Sequence, residues 1–232
     1  MKKFGIKHPI LFEILLIVVG FVLAVVFSIP ASILYFDNDT TMAISRILSG
    51  VFLFVVFLYC FRLKKQFSGL KIALPAFLFV LWNVVNCFLT GGHVSVPSGY
   101  ELIQAIAPAA FEEVIFREIS IYHLKESGKS PITVMIISAL LFGAIHLTNI
   151  VGGQILQTLV QCGYATVIGL VFAAIYIRSD DLFTLMIIHF LIDFFNRVFV
   201  GSTTTPYYLL IAFFILLAGE AVYAFYLVSK KK

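Results

Sequence analysis

Long uncharged apolar segments constrain this chain more than any other feature. Eight such stretches, separated by short polar or charged connections, make up most of the 232 residues. Only 12% of the residues are charged and the mean hydropathy is +1.06, whereas a soluble domain carries about 25% charged residues. Because so apolar a surface cannot be solvated by water, we predict an all-α, polytopic transmembrane helical bundle in a lipid bilayer.

The eight predicted spans match the roughly 17–25 residues that a helix needs to cross a hydrocarbon core. An even number of spans puts both termini on one side, and the lysines and arginines at 2–7, 62–71, 125–129, 178 and 230–232 fall on that side. The positive-inside rule makes it cytoplasmic, and charge this localised does not indicate a nucleic-acid surface. We predict a single membrane domain over residues 1–232, with spans at about 9–35, 41–61, 72–90, 100–124, 131–149, 154–177, 182–200 and 207–228.

The fourth span is unusual because Glu112, Glu113, Arg117 and Glu118 lie within it. An ionised carboxylate persists in hydrocarbon only where it faces a cavity or a partner. Glu113 and Arg117 are four residues apart, a spacing that permits an ion pair on one helix face. Glu112 is turned by about 100°, so it is free to face a cavity. Pro108 removes a backbone hydrogen bond and predicts a kink beside the site.

Two further spans carry polar side chains. His146, in the fifth span, is on its own more typical of a hydrogen-bonded core histidine than of a catalyst. In the seventh span, His189, Asp193, Asn196 and Arg197 share one helical face. That face must contact something polar, and the acidic fourth span is the predicted partner.

Polar amides in the third and sixth spans are interpreted first as helix-to-helix hydrogen bonds, with a substrate groove as the second interpretation for the sixth. Carboxylates and imidazoles on three spans are suited to activating a water molecule, with or without a metal ion. HExxH, GxSxG and Walker patterns are absent from the sequence. The amide-bearing residues are Asn83, Asn86, Gln154, Gln157 and Gln161.

Three motifs occur in order, each on a predicted span: Glu112-Glu113-x-x-x-Arg117, Phe142-x-x-x-His146 and His189-x-x-x-Asp193. They resemble the signature motifs of the CPBP family, the CAAX proteases and bacteriocin-processing enzymes, also called Abi. The motif-bearing core covers about residues 100–200. The resemblance implies an eight-helix intramembrane protease that hydrolyses a peptide bond.

The resemblance also implies roles for these residues. Glu112 and His146 would orient and deprotonate the attacking water. His189 and Asp193 would stabilise the oxyanion or hold the site together, and Asp193 would do so by being protonated, by orienting His189 or by binding a metal. The supporting residues of the motifs would be Glu113, Arg117 and Phe142.

The cofactor is left open, because the family is described both as metalloproteases and as metal-free, glutamate-dependent enzymes. A zinc site would use His146 and His189 with Glu112 or Asp193. The expected substrate is a peptide or a membrane-protein segment, and the expected location is a bacterial plasma membrane. Two alternatives stay open: a non-catalytic bacteriocin-immunity or scaffold protein, and a proton-coupled transporter.

Overall fold

The computed structural model describes residues 7–33, 37–60, 67–201 and 205–230, and these residues are almost entirely helical. The chain begins with α1 (Pro9–Ile33), α2 (Asn38–Cys60), the short α3 (Leu70–Ala73), a 3₁₀ turn (Leu74–Ala76) and α4 (Phe77–Leu89). Next come β1 (His93–Val94), α5 (Gly99–Glu113), a π-helical turn (Val114–Ile119) and α6 (Ser120–Glu126). The remainder consists of α7 (Pro131–Ile145), a 3₁₀ segment (His146–Gly152), α8 (Ile155–Ser179), α9 (Leu182–Val198), β2 (Phe199–Val200) and α10 (Tyr207–Ser229).

The helices confirm a multi-pass, all-α membrane protein. Among the described residues, five segments are long and apolar enough to cross a bilayer: Pro9–Pro30, Leu70–Leu89, Pro131–Ile150, Ile155–Ser179 and Tyr207–Ser229. The helices that carry Glu112 and His189 are outside this group. The count of eight spans and the cytoplasmic position of the termini stay predictions.

The structure bears on two local expectations. Helix α5 continues through Pro108, where the kink stays a prediction, and a π-helical turn follows Glu113. Such turns are frequent at functional sites, because the wider helix changes the direction of the side chains that follow. The helix predicted over 131–149 ends at Ile145, so His146 is the first residue of the 3₁₀ segment.

One end of the bundle, which we call the strand face, is formed by residues 93–95, 197–200, Asp39 and Tyr100. His93 pairs with Val200 and Val94 with Phe199 in an antiparallel ladder, so the helix predicted over 182–200 ends at Val198. The Ser95 hydroxyl donates to the carbonyl of Arg197 at 3.2 Å, and the Tyr100 hydroxyl donates to Asp39 at 3.1 Å. These contacts bring the start of α2, the start of α5 and the end of α9 to the same end of the molecule.

The opposite end, the basic face, is marked by Lys125, Arg178 and Lys230. Lys125 Nζ lies 3.1 Å from a carboxylate oxygen of Asp180, and Arg178 donates to the carbonyl of Lys230 at 2.8 Å. Helix α9 begins at Leu182, next to these contacts, and ends at the strand face. Seven other basic residues used in the orientation argument lie outside the described residues: Lys2, Lys3, Arg62, Lys64, Lys65, Lys231 and Lys232.

Glycines allow two close helix crossings that position the site. A Cβ atom on Gly50 of α2 would lie 2.3 Å from the carbonyl oxygen of Ala110 in α5. A Cβ atom on Gly143 of α7 would lie 1.9 Å from the Thr166 hydroxyl oxygen in α8. Small residues permit this close approach between helices in membranes. The first crossing fixes α2 against the helix that carries Glu112, and the second holds α7 against α8 next to Phe142.

Candidate active site

A cavity of about 500 Å³ lies between α2, α4, α5, α7, α8 and α9. Its walls include the aromatic side chains of Phe79, Trp82, Phe111 and Phe142. A cavity of this size is typical of small-molecule and peptide-binding sites. Its polar lining comprises Arg46, Asn83, Asn86, Glu112, His146, Thr148, Asn149, Gln161, Tyr164, His189, Asp193, Asn196 and Arg197. The structure therefore brings Glu112, His146, His189 and Asp193, from three separate helical segments, to one cavity.

Beneath this cavity lies the ion pair expected from the spacing of Glu113 and Arg117. Arg117 Nε is 3.1 Å from Glu113 Oε2, and both side chains are fully buried. The angle between them is not that of a hydrogen bond, so the contact is mainly electrostatic. The Arg117 guanidinium lies 4.2 Å from the centre of the Phe142 ring and 5.5 Å from that of Phe172. The two aromatic faces thus add a cation–π attraction to the charge of Arg117, which the ion pair with Glu113 alone would leave poorly solvated.

Glu113 also fixes His189. Its Oε1 atom lies 2.7 Å from His189 Nδ1, and since a carboxylate only accepts, the Nδ1–H donates to it. One buried glutamate therefore joins Arg117 on its own helix to a histidine 76 residues away in the chain. The bond defines the orientation of the imidazole ring and leaves its Nε2 atom on the cavity side.

The Nε2 atom of His189 faces two carboxylates that line the cavity. Glu112 Oε2 is 3.9 Å away and Asp193 Oδ2 is 3.7 Å away. Both distances exceed a direct hydrogen bond of about 2.7–3.2 Å. A water or substrate oxygen placed beside such a pair can reach both atoms at once. The two neighbouring glutamates are therefore in different states, with Glu113 fully engaged and Glu112 available to a ligand.

His146 reaches the same cavity from the end of α7. Its ring packs edge-on against Phe142, with centroids 5.5 Å apart, and Phe142 also contacts the ring of His189 at 5.9 Å. Phe142 therefore positions both histidines as well as Arg117. Among the residues that the structure describes, His146 has no hydrogen-bond partner, so its ring nitrogens are available to water or substrate.

The described residues do not fit a zinc ion. No group of three His, Cys, Asp or Glu side chains within the described ranges is arranged to hold a metal. His189 Nδ1, one of the nitrogens that a metal would need, already donates to Glu113. A zinc site with His146 and His189 stays an untested alternative.

Arg46 is a cavity residue that the sequence analysis missed. It lies on α2, lines the cavity and acts electrostatically on both Glu112 and His146. It forms no ion pair or hydrogen bond with any residue in the described parts of the chain. A single arginine inside the predicted span 41–61 is itself an intramembrane ionisable residue, which was the signal that could have identified it.

Two of the amides singled out from the sequence, Asn83 and Gln161, join helical segments, as the first interpretation predicted. Asn83 Nδ2 donates to the carbonyl of Ile192 at 3.0 Å, which joins α4 to α9. Asn149 donates to Gln161 at 2.9 Å, which links the 3₁₀ segment to α8. Since Asn83, Asn149 and Gln161 also line the cavity, they are available to a bound ligand.

A second buried polar pair lies away from the cavity. His123, which the sequence did not single out, has its Nδ1 atom 2.9 Å from Glu13 Oε1, and Phe12 stacks on its ring at 3.9 Å. None of these residues lines the cavity. We interpret the pair as the contact that holds α1 against α6.

Comparison with known proteins identifies the part of the chain that carries the three motifs. Residues 96–195 match the family model described as type II CAAX prenyl endopeptidase Rce1-like. No curated protein and no solved structure matches the chain. Among the charged residues of the site, Arg46 and Arg197 lie outside the matched segment and the others lie within it. The resemblance based on the motifs is thereby confirmed: residues 96–195 of this multi-pass membrane protein are similar to the Rce1-like CAAX endopeptidases.

Proposed function

We propose that the chain is an intramembrane endopeptidase in which Glu112 activates the water that hydrolyses a peptide bond. One observation supports this proposal above the others: Glu112 lines the cavity without a direct partner, while the adjacent Glu113 is held by Arg117 and His189. A purely structural acidic pair would have both carboxylates engaged. A carboxylate left facing a cavity beside two imidazoles is suited to general base catalysis.

The chemistry follows from these positions. Glu112, with His146, orients a water against the scissile carbonyl and accepts its proton. The tetrahedral oxyanion forms near His189, whose Nε2 would donate to it while Nδ1 remains on Glu113. Asp193, 3.7 Å from the same Nε2, orients His189 on the cavity side. The proton held by Glu112 then passes to the leaving amine, and the peptide bond is broken.

The proposed substrate is an extended peptide or a segment of a membrane protein, in a bacterial plasma membrane. Aromatic walls with a few polar groups suit side chains of a peptide, and the amides of Asn83, Asn86 and Gln161 can bond its backbone. The family description names CAAX prenyl substrates; for this chain a prenylated carboxy-terminus is one candidate among membrane-anchored peptides.

The test is cleavage of a peptide library by the purified protein in lipid vesicles, with products identified by mass spectrometry. We expect Glu112→Gln and His146→Ala each to lower the cleavage rate about 10²–10⁴-fold, the usual contribution of a general base. Glu101→Gln is the matched control, because Glu101 is a half-buried glutamate in the first turn of the same helix and does not line the cavity.

Cleavage by Glu112→Gln at the wild-type rate would overturn the catalytic assignment. If the wild-type protein cleaves nothing while a bound partner is retained by both cavity variants, the scaffold or immunity alternative replaces the protease. Proton uptake that depends on Glu112 in sealed vesicles, without any cleavage, would instead favour the transporter.

A further inference from the structure

We propose that Arg46 binds a carboxylate of the substrate peptide inside the cavity, and that it is thereby a specificity-determining residue. Calling the ligand a substrate rests on the proposed function, whereas the binding site itself does not. Arg46 lies on α2, outside residues 96–195 that match the family model. The site is therefore formed jointly by the first part of the chain and by the motif-bearing segment.

The position of Arg46 is set by the packing of α2 against α5. Near the start of both helices, Gln104 Nε2 donates to the carbonyl of Asp39 at 2.8 Å. Further along, a Cβ atom on Gly50 would lie 2.3 Å from the carbonyl oxygen of Ala110. The two helices therefore run side by side in the same direction. Arg46, one turn before Gly50, lies along the stretch of α5 that precedes Ala110 and lines the cavity from this wall.

Arg46 is a half-buried cation whose charge no described residue compensates directly. Its guanidinium forms no ion pair or hydrogen bond within the described ranges. The two carboxylates of the cavity, Glu112 and Asp193, lie instead at 3.9 and 3.7 Å from His189 Nε2. Arg117, by contrast, has an ion pair and two aromatic rings. An intramembrane arginine without such partners indicates a functional site, and the planar fork of donors on a guanidinium matches a carboxylate.

The size of the cavity places the bound carboxylate close to the bond that is cut. A volume of about 500 Å³ corresponds to a width of about 10 Å, which a few residues of extended peptide span at about 3.3 Å each. Arg46 and Glu112 line this one cavity. A carboxylate held by Arg46 therefore belongs to a substrate residue within a few positions of the scissile bond, and its binding sets where cleavage occurs relative to that charge.

Asn86 adds a complementary group to the same cavity. It lines the cavity from α4, and its Oδ1 atom is buried with no hydrogen-bond donor among the residues that the structure describes. Leaving a buried acceptor unpaired is costly, so the cavity favours a ligand that donates to it. A peptide supplies both groups, a backbone N–H for Asn86 and a carboxylate for Arg46. A small inorganic anion supplies only the second.

The alternative role for Arg46 is electrostatic support of Glu112, on which it acts. In that role the loss of Arg46 would change the ionisation of Glu112 and lower the cleavage rate of every peptide alike. Binding of a carboxylate instead predicts a loss of affinity that is confined to acidic peptides. A measurement of binding that compares acidic with uncharged peptides therefore separates the two roles.

The experiment measures retention of peptides by the protein in lipid nanodiscs. Short random peptides are synthesised as free acids and as carboxy-terminal amides and are mixed in equal amounts. Retained peptides and any cleavage products are identified by mass spectrometry, and each acidic peptide is compared with its uncharged counterpart. The wild-type protein is compared with Arg46→Gln, Arg46→Lys and Arg197→Gln, because Arg197 is a second arginine that lines the cavity.

We expect the wild-type protein to retain carboxylate-bearing peptides about tenfold over their uncharged counterparts, as a charge-assisted hydrogen bond would provide. Arg46→Gln should lose this preference, Arg46→Lys should keep part of it, and Arg197→Gln should keep most of it. A preference that disappears on amidation identifies the terminal carboxylate as the bound group. A preference that disappears when aspartate and glutamate are replaced by their amides identifies an acidic side chain.

Equal retention of acidic and uncharged peptides by the wild-type protein, including retention of neither, overturns the inference without requiring any variant to fold. A preference that is unchanged in Arg46→Gln, or lost equally in Arg197→Gln, overturns it as well, because the cavity as a whole would then attract the charge. Arg46-dependent retention of peptides that are never cleaved would keep the binding site and reject the proposed hydrolysis. Glu112-dependent cleavage without a preference for carboxylates would keep the hydrolysis and reject the binding site.

Discussion

The buried charge network beneath the cavity allows a quantitative prediction about stability. In Arg117→Met, the carboxylate of Glu113 keeps its hydrogen bond to His189 but loses the guanidinium that lies 3.1 Å from it. Removing one partner of a buried ion pair costs about 3–5 kcal/mol, because it leaves an uncompensated charge in a low-dielectric interior. The loss of the cation–π contacts with Phe142 and Phe172 acts in the same direction.

The size of the change can be measured as thermal unfolding in mild detergent. For chains of 150–250 residues, 1 kcal/mol corresponds to about 2–4 °C, so Arg117→Met should lower Tm by about 6–20 °C. Glu113→Gln removes the charge that needs compensation while its amide oxygen can still accept from His189. The double variant Glu113→Gln/Arg117→Met should therefore be at least about 2 kcal/mol more stable than the sum of the single effects predicts.

Arg197→Met is the matched control, because Arg197 is exposed and its change should stay within about 0.5 kcal/mol of the wild type. The reasoning is refuted if Arg117→Met is as stable as Arg197→Met. It is also refuted if the effects of Glu113→Gln and Arg117→Met are additive, since the two side chains would then not be energetically coupled.

Three further predictions concern the cavity. His189→Asn keeps a donor for Glu113 but lacks Nε2, so we expect a stably folded protein without cleavage. In His189→Ala the Glu113 oxygen loses its donor, so we also expect the free energy of unfolding to fall by about 1–3 kcal/mol. Equal stability of the two variants would contradict the role of the Nδ1 bond. Arg46→Gln should raise KM for anionic peptides about tenfold, and Arg46→Lys should restore part of the loss because both basic side chains supply charge. An equal rise of KM for neutral peptides would contradict recognition of charge by Arg46. Elemental analysis of the purified protein should find no stoichiometric zinc, since no three ligands among the described residues are arranged for it. Stoichiometric zinc in the wild type that is absent from His146→Ala and His189→Ala would instead support the metal alternative.

The sequence was sufficient for the features that depend on local spacing. Apolar segments of bilayer length predicted the helices, and the separation of Glu113 and Arg117 by four residues predicted their ion pair. The same spacing places Phe142 one turn from His146, and the two rings are in contact. Each of these pairs is four residues apart along a continuous helical stretch, so periodicity alone is enough to infer their proximity.

The features that the sequence did not predict depend on contacts between distant segments. The polar face of the seventh span was predicted to meet the acidic fourth span, and it does, but nothing local indicates that Glu113 is the residue bonded to His189, 76 residues away. The π-helical turn after Glu113 and the 3₁₀ start at His146 arise where helices must adapt to their neighbours, and helical periodicity has no signal for either. Arg46 lies outside the motifs and reaches the cavity only because Gly50 lets α2 approach α5.

Water activation by Glu112 is tested most directly by cleavage in water enriched in ¹⁸O. The wild-type protein and Glu112→Gln are compared on the same peptide, with Glu101→Gln as the control. We predict that wild-type and Glu101→Gln products carry one ¹⁸O atom in the newly formed carboxyl group, and that Glu112→Gln forms this product at least about 100-fold more slowly. Formation of the labelled product by Glu112→Gln at the wild-type rate would contradict the account.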